Sequence, residues 1–314
     1  MNRWVYGPVP SRRFGRSLGV DLAPYKVCSY DCLYCQVGRT TDRIAGLRDF
    51  GSLEEIVEAV TTAVAQGPRP DVITLAGSGE PTLYRHLGSL ISRLKAETGL
   101  PLVVLTNGGL FWKPEVAEAV MLADVLAPSL DAGNESMFRR LNRPHPDIDF
   151  EKMLSGLESV THAFPGQVRM EVMLVRGAND KRSELEDIAR ALEIVRADSI
   201  DVNTVVRPIP GMQADLAVSM DVLRQAAALF GPKAMVVPGE ADLASEEGRS
   251  VSVSEAQSLV LDFVRRRPAT VGQMHESLGI ARSLLDDAVA RLAGEGIVER
   301  ERRAGKTFVR VAGR

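Results

Sequence analysis

At 314 residues, 45% hydrophobic and 25% charged, the chain is long enough for one large domain or a large and a small one, and it has an ordinary globular composition. A net charge of -3 excludes a globally basic nucleic-acid coat, though not a local basic patch. The longest charge-free run, residues 98–112, is broken by Pro101, Asn107, Gly108 and Gly109, and residues 1–7 carry no apolar leader core, so neither a membrane span nor a signal peptide is expected.

In chain order, residues 6–19 come first, with Arg12, Arg13 and Arg16 just ahead of the first apolar run. This segment reads either as a solvated basic loop or as a grip on a substrate phosphate or carboxylate. Short apolar or β-branched runs follow at 18–22, 72–76, 102–106, 124–130, 168–175 and 199–206. Amphipathic helical stretches lie between them at 53–65, 87–98, 115–122, 150–162 and 185–195. The alternation predicts an α/β fold with a parallel sheet covered on both faces. Ser52 with Glu55, and Ser183 with Glu186, read as capping boxes. Six such units make three quarters of a (β/α)8 barrel, although a doubly wound open sheet would give the same pattern.

Residues 240–253 are Glu-, Ser- and Gly-rich and read as a linker. Helical patterns at 254–267, 270–277 and 280–293 precede an alternating stretch at 296–311 around Gly305. Helix, helix, turn, helix and hairpin predict a winged helix-turn-helix. The expected division is therefore 1–239 for the barrel, 240–253 for the linker and 254–314 for the winged helix. Residues 250–314 hold 11 basic and 8 acidic residues, against 27 and 33 in the rest. Arg282, Arg291, Arg303 and Lys306 would be its contacts to nucleic acid, but Asp286 and Asp287 share the third helix and would face phosphates badly. A lid or docking module is the alternative use.

All three cysteines, Cys28, Cys32 and Cys35, lie in one C-x3-C-x2-C run after the first predicted strand. Such clustering points to metal in a reducing compartment, and so to the cytoplasm. Four thiolates would close a structural zinc site or an electron-transfer cluster, whereas three leave one iron of a [4Fe–4S] cluster without a protein thiolate. A zinc site borrowing a histidine is the duller reading, but His86, His145, His162 and His275 lack finger spacing.

This spacing is joined by Gly77-Ser78-Gly79-Glu80-Pro81-Thr82, Thr106-Asn107-Gly108, Ser129-Leu130-Asp131 and residues 174–180, each at a predicted strand end. Over residues 18–238 the set resembles the radical S-adenosylmethionine (SAM) superfamily. With residues 6–19 it looks like a subgroup of iron–sulfur oxidoreductases related to wyosine-forming tRNA enzymes. Those enzymes carry further cysteines for a second cluster, and this chain has none.

The resemblance implies a partial (β/α)6 TIM-like barrel with a [4Fe–4S] cluster on Cys28, Cys32 and Cys35. The open iron would chelate SAM. Gly77, Ser78, Gly79, Glu80 and Pro81 would orient its methionine end, Asn107, Ser129 and Asp131 would contact ribose or carboxylate, and Tyr34 would lie near adenine. One electron would split the sulfonium, and the deoxyadenosyl radical would take a hydrogen from substrate. A reducing partner such as flavodoxin or ferredoxin is implied. Arg12, Arg13, Arg16, Asn203 and Arg207 are the candidate substrate residues. RNA or nucleotide modification is the leading reading, and a small molecule or protein substrate with the winged helix as lid is the second. An iron–sulfur redox-sensing DNA-binding regulator, of another class, would explain the cysteines and C-terminus but not six βα units.

Overall fold

The six apolar runs become parallel strands of one sheet in a computed structural model that describes residues 3–11, 13–212, 214–237, 251–303 and 305–313. In chain order the strands are β1 (Val5–Ser11), β2 (Gly15–Val20), β3 (Val27–Cys28), β4 (Asp42–Arg43), β5 (Val72–Leu75), β6 (Leu102–Thr106), β7 (Val125–Pro128), β8 (Gln167–Leu174), β9 (Ser199–Thr204), β10 (Ala234–Val236), β11 (Val298–Arg303) and β12 (Lys306–Val311). The helices are α1 (Leu53–Gln66), α2 (Leu87–Thr98), α3 (Pro114–Val120), α4 (Glu135–Leu141), α5 (Phe150–Ala163), α6 (Arg182–Ile194), α7 (Met220–Phe230), α8 (Val253–Arg266), α9 (Val271–Leu278) and α10 (Arg282–Gly294). None is long and apolar enough to cross a membrane.

The main sheet runs β1-β2-β5-β6-β7-β8-β9-β10. Only the β1–β2 pair is antiparallel. β1 and β10 are the two edges and do not pair with each other, so the sheet stays open. β5, β6 and β7 are almost wholly buried, as strands covered on both faces must be. β8 alternates: Val168, Met170, Val172 and Leu174 join the apolar core, while Arg169 and Glu171 turn to the lumen.

Two strands exceed the six expected. β1 takes up the segment read as a basic loop. Its Pro8 and Pro10 mask the alternation, and proline is tolerated because an edge strand leaves half its N–H groups unpaired. β10 has three residues, too few for a pattern. The seven-residue α4 escapes periodicity for the same reason. Ser52 does cap α1, accepting from the Glu55 N–H at 3.4 Å. Ser183 does not cap α6, which starts at Arg182 after an uncapped Lys181. The reciprocal capping box sits instead on α9, between Thr270 and Gln273.

Most of the expected linker lies outside the described residues. Ser252 and the first turn of α8 reach into its end. α8, α9 and α10 with the antiparallel β11–β12 hairpin share a core of Val260, Phe263, Met274, Leu285, Leu292 and Val309, which Val9 of β1 joins. α9 packs on β1 and so covers that edge. At the other side Arg303 donates to the carbonyls of Arg207 and Ala214. The C-terminal unit thus reaches from the β1 edge to the loop after β9. Arg303, expected as a nucleic-acid contact, is 7% exposed because its guanidinium is turned onto the barrel carbonyls of Arg207 and Ala214.

Candidate functional site

The chain leaves β2 through Asp21 and Lys26 and enters the cysteine loop at Cys28. Backbone turns shape the loop, with the Cys35 N–H on the Cys32 carbonyl at 3.1 Å and the Gly38 N–H on the Cys35 carbonyl at 2.8 Å. The end of β5 braces it: the Ser78 carbonyl accepts from the Lys26 N–H and the Val27 carbonyl accepts from the Glu80 N–H. Ser78 N–H and Oγ both donate to Asp21, at 2.9 and 2.6 Å. A Cβ on Gly77 would lie 2.1 Å from Asp21 Oδ1, and one on Gly79 would lie 2.0 Å from the Val27 carbonyl oxygen. Glycine is therefore needed here for contacts inside the chain as well as for open backbone. Pro81 begins a buried single 3-10 turn, Pro81–Leu83.

Glu80 is 3% exposed, and its carboxylate ties β5 to β6. Oε1 accepts from the Thr82 N–H, Thr82 Oγ1 and Thr106 Oγ1, the two hydroxyls at 2.6 Å, and Oε2 accepts from the Asn107 N–H at 2.9 Å. Burial pushes Glu80 above its ordinary range, against these donors. Its carboxylate is largely occupied within the chain.

Asn107 donates to Ser29 Oγ at 2.9 Å and reaches Cys28 Sγ at 3.6 Å. Asp131 is not a helix cap, since Asn134 caps α4. It accepts instead from Tyr34 OH, from Asn142 at 2.9 Å and from the Met173 N–H at 2.9 Å. Burial pushes Asp131 up to about 6 against those donors. Tyr34 is thereby tied by its hydroxyl to the end of β7. Ser129 pairs its backbone with Glu171, beside the same strand end. Sequence reasoning missed Asn142, which also reaches Cys32 Sγ at 3.7 Å, and it placed residues 174–180 at a strand end without giving Asn179 a role. Asn179 is fully buried and clamps the carbonyls of Asp131 and Met173. The strand-end position of Asn179 was the available signal, whereas Asn142 had none.

The surroundings of the thiols fit an iron–sulfur cubane. Burial pushes Cys28 up to about 12 and raises Cys32 and Cys35, so metal binding has to displace protons. Amide N–H groups face all three sulfurs, from Asn107 toward Cys28, from Asn142 toward Cys32 and from the backbone of Val37 and Gly38 toward Cys35. Lys26 is 5% exposed, and its Nζ is buried without a hydrogen-bond partner, close enough to Cys35 and Cys28 to act on them electrostatically. Such donors and charge suit a thiolate-held cluster. Among the described residues no three His, Cys, Asp or Glu side chains converge on a single ion. A cubane does not need that, because each thiolate takes a different iron.

Beside the loop lies a cavity of about 390 Å³, lined by Arg13, Phe14, Gln36, Gly77 and Arg207 of the barrel and by Arg266 of α8, among others. Below it, Arg13 pairs with Glu171 at 3.0 Å, Arg169 pairs with Asp201 at 3.0 Å, and Asn203 donates to Glu171 at 2.9 Å. Asn203 Oδ1 is buried without a partner. Arg207 donates to Gln36, next to Cys35, at 2.7 Å. Arg13, Asn203 and Arg207 are thus brought to one lumen. Arg16 is not. It starts β2, at the strand end away from the cysteines, and pairs with Asp71 in solvent because the segment folds back as a hairpin. Arg12 lies outside the described residues.

An open parallel barrel with three clustered thiols at its strand ends is the architecture of a cluster-bearing α/β enzyme. The chain belongs to the Radical SAM superfamily, which it matches over residues 22–206. Members of that superfamily are enzymes that use a [4Fe–4S] cluster and SAM. A UPF0026 protein of Helicobacter pylori is 34% identical over 267 residues, 84% of each chain. A Brachyspira hyodysenteriae protein called GTPase Obg is 34% identical over 300 residues, 95% of this chain, and the chain spans 43% of its length. Among solved structures, TYW1 with a lysine-pyruvate adduct shares the fold at a TM-score of 0.52 and 17% identity, over 72% of this chain and 75% of that one. A radical SAM methyltransferase from Sphaerobacter thermophilus does so at 0.53 and 19%, over 70% and 65%.

Proposed function

We propose that the chain is a single-cluster radical SAM enzyme that takes hydrogen from a small molecule held in the barrel lumen, with its C-terminal unit, read as a winged helix, acting as lid. The observation that carries this is the cavity, lined jointly by barrel residues and by Arg266, Arg267, Gln273 and Glu276 of that unit. Cys28, Cys32 and Cys35 would hold the cluster. Bound cluster and SAM would together supply the one-electron hydrogen abstraction of the superfamily.

The chain's own residues do the rest. Gly77 offers exposed backbone to the methionine end of SAM, and Ser78, Gly79, Glu80 and Pro81 hold that backbone in shape. Asn107 and Asn142 donate toward the sulfurs, and Asp131 positions Asn142 and Tyr34. Ser129 lies at the ribose side of this reading. Phe14 and the ion network beneath the cavity keep water out of the lumen. A flavodoxin- or ferredoxin-type donor would reduce the cluster.

RNA modification is disfavoured on this reading. Arg303 and Arg266 donate to barrel carbonyls, Arg267 lines the cavity, and the exposed face of α10 sets Asp286 and Asp287 beside Arg291. A redox-sensing DNA regulator leaves the lumen cavity without a purpose.

The test is 5′-deoxyadenosine release by the anaerobically reconstituted, reduced full chain. Release that is stimulated by a low-mass metabolite fraction and abolished by Cys32→Ala supports the proposal. Stimulation by bulk tRNA alone would move the substrate to RNA. Full release by Cys32→Ala would sink the ligand assignment.

A further inference from the structure

The chain beyond Cys35 folds back over the cysteine loop and brings arginines to its surface. Thr40 fixes the return, donating its N–H to Asp31 Oδ1 at 2.8 Å and its hydroxyl to the Tyr30 carbonyl at 2.7 Å. β4 then runs parallel to β3, so Arg43 is the strand neighbour of Cys28. The segment after α4 closes on the same loop. There the Asp31 N–H donates to the Asn142 and Arg143 carbonyls, each at 3.1 Å, and Tyr30 pairs with Pro144. Three guanidiniums, of Arg39, Arg43 and Arg143, are thereby gathered around the stretch between Cys28 and Cys32.

Acidic groups match this cluster only in part. The Asp31 carboxylate serves two of the three, Arg39 at 2.8 Å and Arg143 at 3.7 Å. Arg43 donates instead to the Arg143 carbonyl at 3.0 Å, and its neighbour Asp42 is taken by Arg48 at 2.8 Å. The Arg39 side chain is 78% exposed and Arg43 is exposed, so this charge faces water, whereas the buried Lys26 faces the sulfurs from within. None of the three arginines lines the cavity. A substrate has to enter the lumen and gains nothing from this face. A reductant has only to approach the cysteine loop, because electron transfer weakens steeply with distance. Redox partners meet through small, short-lived interfaces steered by opposite charge.

Resting on the reading of Cys28, Cys32 and Cys35 as cluster ligands, we propose that Arg39, Arg43 and Arg143 form the docking face for an acidic one-electron carrier protein. One electron leaves the reduced carrier for the oxidised cluster, and no bond is made or broken.

The experiment titrates the reconstituted full-length protein calorimetrically with a flavodoxin and, separately, a plant-type ferredoxin, at low and at high salt. On the same samples, SAM cleavage driven by the reduced carrier is compared with cleavage driven by dithionite. At least one carrier should bind, and more weakly at high salt. Arg43→Glu should weaken that binding about tenfold or more and lower the carrier-to-dithionite ratio of cleavage by a similar factor. Arg39→Gln, which leaves Asp31 its contact with Arg143, should act in the same direction but less. Arg224→Glu, on the exposed face of α7, should alter neither. Binding of neither carrier, or binding indifferent to salt and to both loop variants, would overturn the inference. So would a short single-stranded RNA that displaces the carrier and loses affinity in the same variants, which would assign the face to RNA. Dithionite-driven cleavage by a protein that binds neither carrier would sink this inference alone. Salt-sensitive carrier binding by a protein that cleaves SAM with neither reductant would keep the face and sink the radical SAM reading.

Discussion

The two ends of the lumen are built from opposite materials. The far end is closed by ions that cancel: Arg13 and Arg169 against Glu171 and Asp201, with Phe14 between the two guanidiniums at 5.4 and 5.3 Å. The cysteine end is built from amides, hydroxyls and backbone groups, with carboxylates already occupied by donors. At the side of the sheet where the C-terminal unit enters, Arg207, Arg266 and Arg267 line the cavity. At the far end, charges matched within the chain do structural work, whereas the cysteine end relies on neutral donors to hold the buried carboxylates of Glu80 and Asp131.

That contrast can be broken experimentally. The largest effect on folding should come from the closed end. Asp201→Ala leaves Arg13 and Arg169 without their fully buried partner and should destabilise by about 3–5 kcal/mol in chemical denaturation. Loss of under 1 kcal/mol would show the network to be incidental.

At the cysteine end, Asp131 is raised by burial from 3.8 to about 6. The folded chain therefore binds a proton more tightly than the unfolded one. Its contribution is greatest below about pH 4 and is lost as pH rises to about 6, by about 3 kcal/mol. Asp131→Asn should flatten that part of the stability–pH curve, and an unchanged slope would refute the assignment.

Smaller effects are expected on the cluster itself. Lys26→Met removes a buried positive charge beside Cys35 and should shift the cluster's reduction potential to more negative values, read by redox titration. Asn107→Ala, which removes one N–H toward Cys28, should shift it in the same direction but less. The smallest effect is at Arg16→Ala. Its pair with Asp71 is exposed, so stability should move by less than about 0.5 kcal/mol and SAM cleavage not at all.

Much of the site was legible in the sequence, because its parts are local. Cys28, Cys32 and Cys35 sit within eight residues, and Gly77 to Pro81 follow one strand. The α/β alternation was legible because burial on both faces leaves continuous apolar runs. β1 was not, since its prolines break the pattern and only its place at the edge permits them. Arg12, Arg13 and Arg16 looked equivalent in the chain. Yet a hairpin turn sends Arg13 into the lumen and leaves Arg16 in solvent, and nothing in three adjacent arginines distinguishes them.

The sequence by itself determined the strand–helix alternation, the single set of three thiols and the glycine-rich turn that braces them, since each depends on neighbours a few residues apart. Only the tertiary structure decided which charges are matched. Arg13 meets Glu171 across 158 residues and Arg207 meets Gln36 across 171. The C-terminal unit also turns Arg266 and Arg303 toward the barrel instead of leaving them outward. Electrostatic partners are set by distance in space, and distance in space between remote segments is what folding alone supplies.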